Sequence, residues 1–303
     1  MKVVLTDAQT AEALYVTSLA SGAADTDWAS AVNASRKRVL AVLRASDHLR
    51  DIELALKAAG GHLTVFRHMF GPPLSQDQFA LICPAYRKSC EKFDRPVSDK
   101  AVALVAAAIS PLLDPKITPW LHQSRGPTRR EIRHLVSTVA PMLSLQVVTT
   151  LRRNRLSLAQ ETAVIELLGE MGWTRMSSGL VKQAATLPAC HFMHKTRFAT
   201  QTRPQEVDIA CGLGTSVVLA MECKVTNDRT NSVKRVNDIL KKATAWQSHW
   251  GSFVRTAALL QGVIADKDVQ RLVDAKVQVF WSHDLKLFRA WLGENCPNAE
   301  NGS

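Results

Sequence analysis

The sequence predicts an α/β protein, a mixed sheet flanked by helices, preceded by an N-terminal helical domain. Three observations predict it. Residues 1–155 carry helix-start signals and apolar residues at three- and four-residue spacing. From residue 157 onward the order changes to helix, hairpin, helix, strand, helix. A strand over 216–225, rich in Val, Leu and Ala, is followed by a helix and then another strand, a crossover that requires some parallel pairing. The division that follows is a helical domain over 1–155 and a sheet-containing domain over 156–303. With 46% hydrophobic residues in 303, the chain has the apolar surface for such cores, which excludes a disordered chain.

In chain order, Val39, Leu40, Val42, Leu43 and Leu49 give a helical pattern over 35–56. Gly71-Pro72-Pro73 is a loop, and Ser75-Gln76-Asp77-Gln78 is a capping box. Ser98 or Asp99 caps the next apolar helix, which Pro111 ends or kinks. Residues 123–127 form a loop, and Thr128-Arg129-Arg130-Glu131 is a second capping box, followed by Ile132, Leu135, Val136 and Val139 on one face. Ser157 and Gln160 read as a third box, opening a helix over 157–171 that Gly172-Trp173 ends. A strand over 203–211, a Gly212-Leu213-Gly214 turn and the strand over 216–225 make a hairpin. A basic helix over 232–251, a strand at Val263-Ile264, a short helix to Val273, a strand over 277–281 and a last helix to Leu292 complete the chain.

Charge is uneven. The 38 Lys and Arg against 27 Asp and Glu give +11, and residues 115–205 hold 13 of the bases and only 4 of the acids, a balance of +9. Such a surface suits a polyanion. The longest apolar run, near 101–113, is interrupted by Ser110 and Pro111 and is too short for a membrane span of roughly 20 residues. The first residues lack the apolar core of a signal peptide. Six cysteines without a C-x-x-C pair disfavour a zinc ribbon or a disulfide framework, so a reducing cytoplasm is expected.

The chemistry-bearing stretch is Pro204-Gln205-Glu206-Val207-Asp208, then thirteen residues, then Glu222-Cys223-Lys224. Strand side chains alternate, so Glu222 and Lys224 share a face and Cys223 points to the other. The turn brings Asp208 opposite them. Two carboxylates and an ammonium then converge where an apolar strand ends. Asp208 and Glu222 suit Mg²⁺, which takes oxygen ligands and keeps positions for water and phosphate. Lys224 is placed to position or deprotonate a water, or to neutralise a phosphate.

Asp208 and Glu222-Cys223-Lys224 on a hairpin resemble the PD-(D/E)xK nuclease superfamily. Pro204 stands four residues before Asp208, so the likeness rests on the Asp, Glu and Lys. The superfamily often adds a helix Glu before the hairpin. Glu161 is the choice over Glu166 and Glu170, because it shares a face with Leu158, Ile165 and Leu168. A likeness over more of the chain is carried by Ser75-Gln76-Asp77-Gln78-Phe79, by 191–198 (His191-Phe192-Met193-His194-Lys195-Thr196-Arg197-Phe198), by 221–227 continuing to Asn231-Ser232-Val233-Lys234-Arg235, and by Phe280-Trp281-Ser282. These are similar to the XamI-type restriction endonucleases. The resemblance implies a PD-(D/E)xK restriction-endonuclease-like core and a Mg²⁺-dependent type II enzyme that cuts both strands of double-stranded DNA at a short site. It implies Asp208, Glu222 and Glu161 at the metal and Lys224 on the water or phosphate. Cutting two strands calls for two sites, hence a homodimer, with residues 1–155 serving DNA contact or dimerisation, and such an enzyme implies a cognate DNA methyltransferase. A structure-selective or non-specific nuclease of repair or phage defence, and a non-enzymatic DNA-binding protein, are the alternatives.

Outside the acidic set, His194, Lys195 and Arg197 are expected on DNA phosphates or base edges, and Asn231 and Lys234 at a helix start on a phosphate. Arg235 is a weaker candidate, Arg152, Arg153 and Arg155 suit either the DNA backbone or the domain junction, and Lys241-Lys242 reads as a solvated face. Trp246, Trp250, Trp281 and Trp291 read as core, and Cys223 lacks the base a catalytic thiol needs.

Overall fold

Apolar residues at helical spacing build the first half of the chain. The computed structural model describes residues 2–20, 23–58, 62–123 and 125–296. Helices run α1 (Lys2–Ala20), α2 (Ala23–Ala45), α3 (Ile52–Lys57), α4 (His62–Arg67), α5 (Gln76–Ile82), α6 (Lys88–Lys92), α7 (Asp99–Ile109) and α8 (Arg129–Glu170). Ser75 and Gln78 form the expected capping box at α5. Thr128 and Glu131 exchange the corresponding bonds, Glu131 N–H donating to Thr128 Oγ1 at 3.2 Å and Thr128 N–H to Glu131 Oε2 at 2.7 Å. A 3₁₀ turn over Ser110–Leu112, with Pro111 in it, ends α7.

The second half is a seven-stranded mixed sheet flanked by helices. Its strands are β1 (Thr174–Arg175), β2 (Leu180–Val181), β3 (His191–Phe198), β4 (Gln205–Gly212), β5 (Val218–Thr226), β6 (Val254–Gly262) and β7 (Gln278–Trp281). Helix α9 (Arg229–Trp250) crosses from β5 to β6, α10 (Asp266–Asp274) from β6 to β7, and α11 (Lys286–Asn295) follows. The order is β1-β3-β4-β5-β6-β7, with β2 also on β3. β3, β4 and β5 are antiparallel neighbours, while β5, β6 and β7 run parallel. The β5–β6 and β6–β7 pairs are joined by helices, as a parallel crossover demands, and the short β1 and β2 also run parallel to β3.

The chain divides into two compact units, Gly22–Leu151 and Met1–Ser21 with Arg152–Ser303. The first has its own core, in which Phe66, Phe79, Trp120, Leu135 and Leu143 are fully buried. In the second, one core on one side of the sheet gathers Val164, Leu168, Met221, Leu259 and Phe288, and others gather Trp246 with Phe198 and Trp281 with Ile239. Helix α1 groups with this unit, its Ala8 and Ala11 packing among Ile239, Ala258 and Leu260.

Four expectations are corrected. Ser157 and Gln160 do not open a helix; they sit inside α8, which runs unbroken through residues 155 and 156. Gln160 donates instead to Leu259 O at 3.0 Å and Ser282 Oγ at 2.6 Å, tying the helix to the sheet. Residues 191–198, for which no strand was expected, form β3, and the strand expected at Val263-Ile264 lies at 254–262. Leu158 is 63% exposed, so it does not share the packed face of α8, which carries Glu161, Val164 and Leu168. One helix among the described residues, α8, is long and apolar enough to cross a membrane by length and composition. Leu135 and Leu143 on it pack in one core, Val164 and Leu168 in another.

Candidate active site

The site begins where β4 and β5 part. Their pairing ends at Ile209 opposite Met221, and one further step sets Asp208 opposite Glu222. Beyond that point Cys223 N–H has lost its strand partner, and Asp208 Oδ2 accepts it at 2.9 Å. A backbone donor that needs a partner thus fixes the carboxylate's orientation. Glu222 and Lys224, two apart on β5, lie on one face as the alternation requires, with Lys224 Nζ 2.6 Å from Glu222 Oε2 and 3.3 Å from Asp208 Oδ2. Cys223 points the other way into the core and is buried. Burial pushes its thiol well above the usual range, the opposite of what a nucleophilic cysteine needs.

Glu161 arrives from α8. It is buried, and both its oxygens are taken: His194 Nε2 lies 2.7 Å from Oε2 and Lys195 Nζ donates to Oε1 at 2.6 Å. Glu166 is exposed, and exposed Glu170 pairs with Arg289 at 2.5 Å, so of the three only Glu161 reaches the sheet. Lys195 also donates to Asp208 Oδ1 at 3.2 Å. In the β3–β4 register it falls between His194 (opposite Ile209) and Thr196 (opposite Val207), the position facing Asp208. Its φ of 55° is left-handed, which costs a side-chain-bearing residue about 1–2 kcal/mol. The two carboxylate contacts offset that cost.

Lys242 is a residue that sequence reasoning misplaced. It is no solvated face: its Nζ donates to Glu222 Oε1 at 2.8 Å and to Glu206 O at 2.9 Å. The signal was present, since Lys242 follows Ile239 by three and precedes Trp246 by four, both buried. Glu222, with no exposed surface, is thereby held between two lysines.

Electrostatics follow from this arrangement. Burial pushes the Asp208 carboxyl up, but Lys224, the Cys223 N–H and Lys195 outweigh it and hold the group below the usual range. Burial dominates at Glu222 and raises it despite Lys224 and Lys242. At Lys224 burial favours the neutral amine, yet Glu222 and Asp208 reverse this and hold it as an ammonium. Lys195 is raised too: Glu161 and Asp208 overcome the effect of burial.

A cleft of about 180 Å³ opens on these groups, lined by Arg153, Ser157, Glu161, Lys195, Asp208, Lys224 and Arg235 among others. Glu222 sits behind Lys224 and does not line it. Arg153 and Arg235 line it. Among the described residues no three His, Cys, Asp or Glu side chains form a metal cage. Glu161 and Asp208 are the carboxylates placed to hold a cation, and they share one, the Lys195 ammonium.

The residues expected on DNA are scattered. His194 and Lys195 are drawn into the acidic cluster. Arg197 is exposed further along β3, and Lys234 is exposed on α9 beside Arg229, Asn237 and Lys267. Asn231 is bound to the N-cap of α9, Asp228, through its backbone N–H at 2.8 Å and its side-chain amide at 2.5 Å. That acidic cap already occupies the helix start where a phosphate was expected. Trp246, Trp250 and Trp281 are buried, as expected.

Known proteins resemble this chain in sequence and, more weakly, in structure. A crystal structure of a Vibrio cholerae protein aligns over 88% of this chain and 57% of its own, at 12% identity and a TM-score of 0.33. The family model for the XamI restriction endonuclease matches residues 47–281. The type II restriction enzyme XamI of Xanthomonas campestris pv. amaranthicola is 30% identical over 208 residues, 67% of this chain and 73% of that enzyme. The family match spans both compact units and takes in Glu161, Asp208, Glu222 and Lys224, and the chain belongs to the XamI restriction endonuclease family.

Proposed function

We propose that the protein is a Mg²⁺-dependent type II restriction endonuclease with a PD-(D/E)xK core, hydrolysing phosphodiester bonds of double-stranded DNA at a short specific site. The observation that carries this reading is the convergence of Glu161, Asp208 and Lys224 on one cleft, with Glu222 behind Lys224. The donor set fits the metal. Mg²⁺ takes one or two carboxylates and fills its other positions with water and phosphate, and Glu161 and Asp208 already share one cation.

Asp208 and Glu161 would hold the ion, with Glu222 as the third acid of the cluster behind Lys224. When bound, Mg²⁺ lowers the pKa of the attacking water and offsets charge on the phosphoryl oxygens. Lys224, an ammonium here, neutralises charge on the phosphate and orients the water rather than removing its proton. Lys195, Arg153 and Arg235 line the approach and meet the DNA backbone, with His194 steadying Glu161. Arg197 and Lys234 are the outer DNA contacts. Residues 1–155 contribute DNA contacts or the interface of a homodimer, a cognate methyltransferase protects the host's own sites, and the enzyme works in the reducing cytoplasm, where its free cysteines persist.

Incubating supercoiled plasmid with the protein in Mg²⁺ tests the reading, with chelator and the Asp208→Asn variant as controls. Discrete fragments that need both Mg²⁺ and Asp208 are expected. Equal cutting by the variant would remove Asp208 from the chemistry, and a smear would favour the non-specific nuclease.

A further inference from the structure

We propose that the Lys195 ammonium is a built-in counter-ion: it holds the seat between Glu161 and Asp208 that a divalent cation takes, and metal loads only as Lys195 leaves. This rests on the Mg²⁺ reading above and deepens it. Lys195 bridges carboxylates from two separate elements, Glu161 Oε1 on α8 at 2.6 Å and Asp208 Oδ1 on β4 at 3.2 Å. These are the two acids that line the cleft.

Charge balance points the same way. Three carboxylates, Glu161, Asp208 and Glu222, face three ammoniums, Lys195, Lys224 and Lys242. The cluster is therefore neutralised before any ion arrives, and a divalent cation must displace a positive group to gain its full attraction. Lys195 is the one able to go. Its side chain is 53% exposed, against 16% for Lys224 and 22% for Lys242. Lys242 is further fixed to the Glu206 carbonyl. The left-handed backbone at Lys195 aims this side chain at the acids from the strand position facing Asp208.

A phosphate at the cleft mouth competes for the same ammonium. DNA thus draws Lys195 off the acids and raises metal affinity, and by linkage the metal raises DNA affinity by the same factor. The free site stays closed to metal, which restrains cutting until DNA is in place.

The test is calorimetric titration of Mg²⁺ alone into the full-length protein and its Lys195→Met, Lys195→Gln and Lys195→Arg variants, without DNA. Both neutral variants are expected to bind Mg²⁺ at least tenfold more tightly than wild type, and the arginine variant within about threefold of it. Equal or weaker binding by both neutral variants, with wild-type cleavage still dependent on Mg²⁺, would overturn the counter-ion role and leave the nuclease reading standing. Absence of Mg²⁺ binding in both neutral variants would overturn the counter-ion role, and plasmid cleavage that does not depend on Mg²⁺ would overturn the nuclease reading with it.

Discussion

Lys242 Nζ on α9 lies 2.8 Å from Glu222 Oε1 on β5, so the most buried acid of the cluster is held from behind by the crossover helix. Lys224 takes its other oxygen. The pair couples the site to the packing of α9, whose neighbouring Ile239 and Trp246 are core residues.

Removing one partner of a buried ion pair costs about 3–5 kcal/mol, because the other charge is left unpaired. Lys242→Met leaves Glu222 one lysine, so a loss near the low end, about 3 kcal/mol, is expected in urea unfolding. Lys241, exposed on the adjacent position, should tolerate the same change within about 0.5 kcal/mol. Equal effects at the two positions would mean that the Glu222 contact does not stabilise the fold.

The acid limb of stability should carry the signature of Asp208. Its folded carboxyl titrates below 3.8, so its contribution is present above that value and is lost as pH falls through the lower folded value. Wild type should therefore destabilise more steeply than Asp208→Asn below about pH 4. Lys224 gives the mirror image: raised above 10.5, it contributes fully below that pH and the contribution fades as pH rises through the folded value. Lys224→Met should flatten the alkaline limb. Parallel limbs in wild type and variants would contradict the pairing.

Glu161 and Glu166 separate the helix acids. Losing even an outer-shell partner of a metal ligand costs about 10–100-fold in affinity or activity. Glu161→Gln should lose at least that much Mg²⁺-dependent cleavage, and Glu166→Gln, on the exposed side of α8, should keep wild-type rates. Matching rates for the two variants would exclude Glu161 from the site.

Arg153 and Arg235 line the cleft. Each phosphate contact contributes about 0.9 to the slope of log affinity on log salt. Arg153→Ala and Arg235→Ala should each lower that slope by about one, alike for all DNA sequences. An unchanged slope, or a loss confined to one sequence, would take them off the backbone.

Much of the site was legible in the sequence, and the reasons are local. Asp208, Glu222 and Lys224 could be placed because strand alternation and a tight hairpin fix which side chains share a face. Glu161 was chosen correctly as the inward acid, though on a face that wrongly included Leu158. Strand β3 escaped because four of its eight residues are His, Lys or Arg, which mask the alternation of buried Phe192, Thr196 and Phe198. Ser157 and Gln160 imitated a helix start. Ser157 meets Glu161 one helical turn on, and the partner of Gln160, the β6 carbonyl of Leu259, lies 99 residues away in the sheet, where sequence spacing cannot point. The contact of Lys195 with Glu161 and Asp208 was not legible, because nothing local shows that its backbone turns left-handed and delivers the ammonium to two acids.

In the proposed function these acids and Lys224 cut DNA at a specific site. A random-sequence double-stranded library, incubated with Mg²⁺ and either wild type or Lys224→Ala and then end-sequenced, tests it most directly. Wild-type ends are expected to cluster at one short motif, to be absent without Mg²⁺, and to fall by about 10²–10³-fold in the variant, the cost of removing one transition-state charge stabiliser. Cleavage undiminished by Lys224→Ala, or ends at no common motif, would contradict the proposed function.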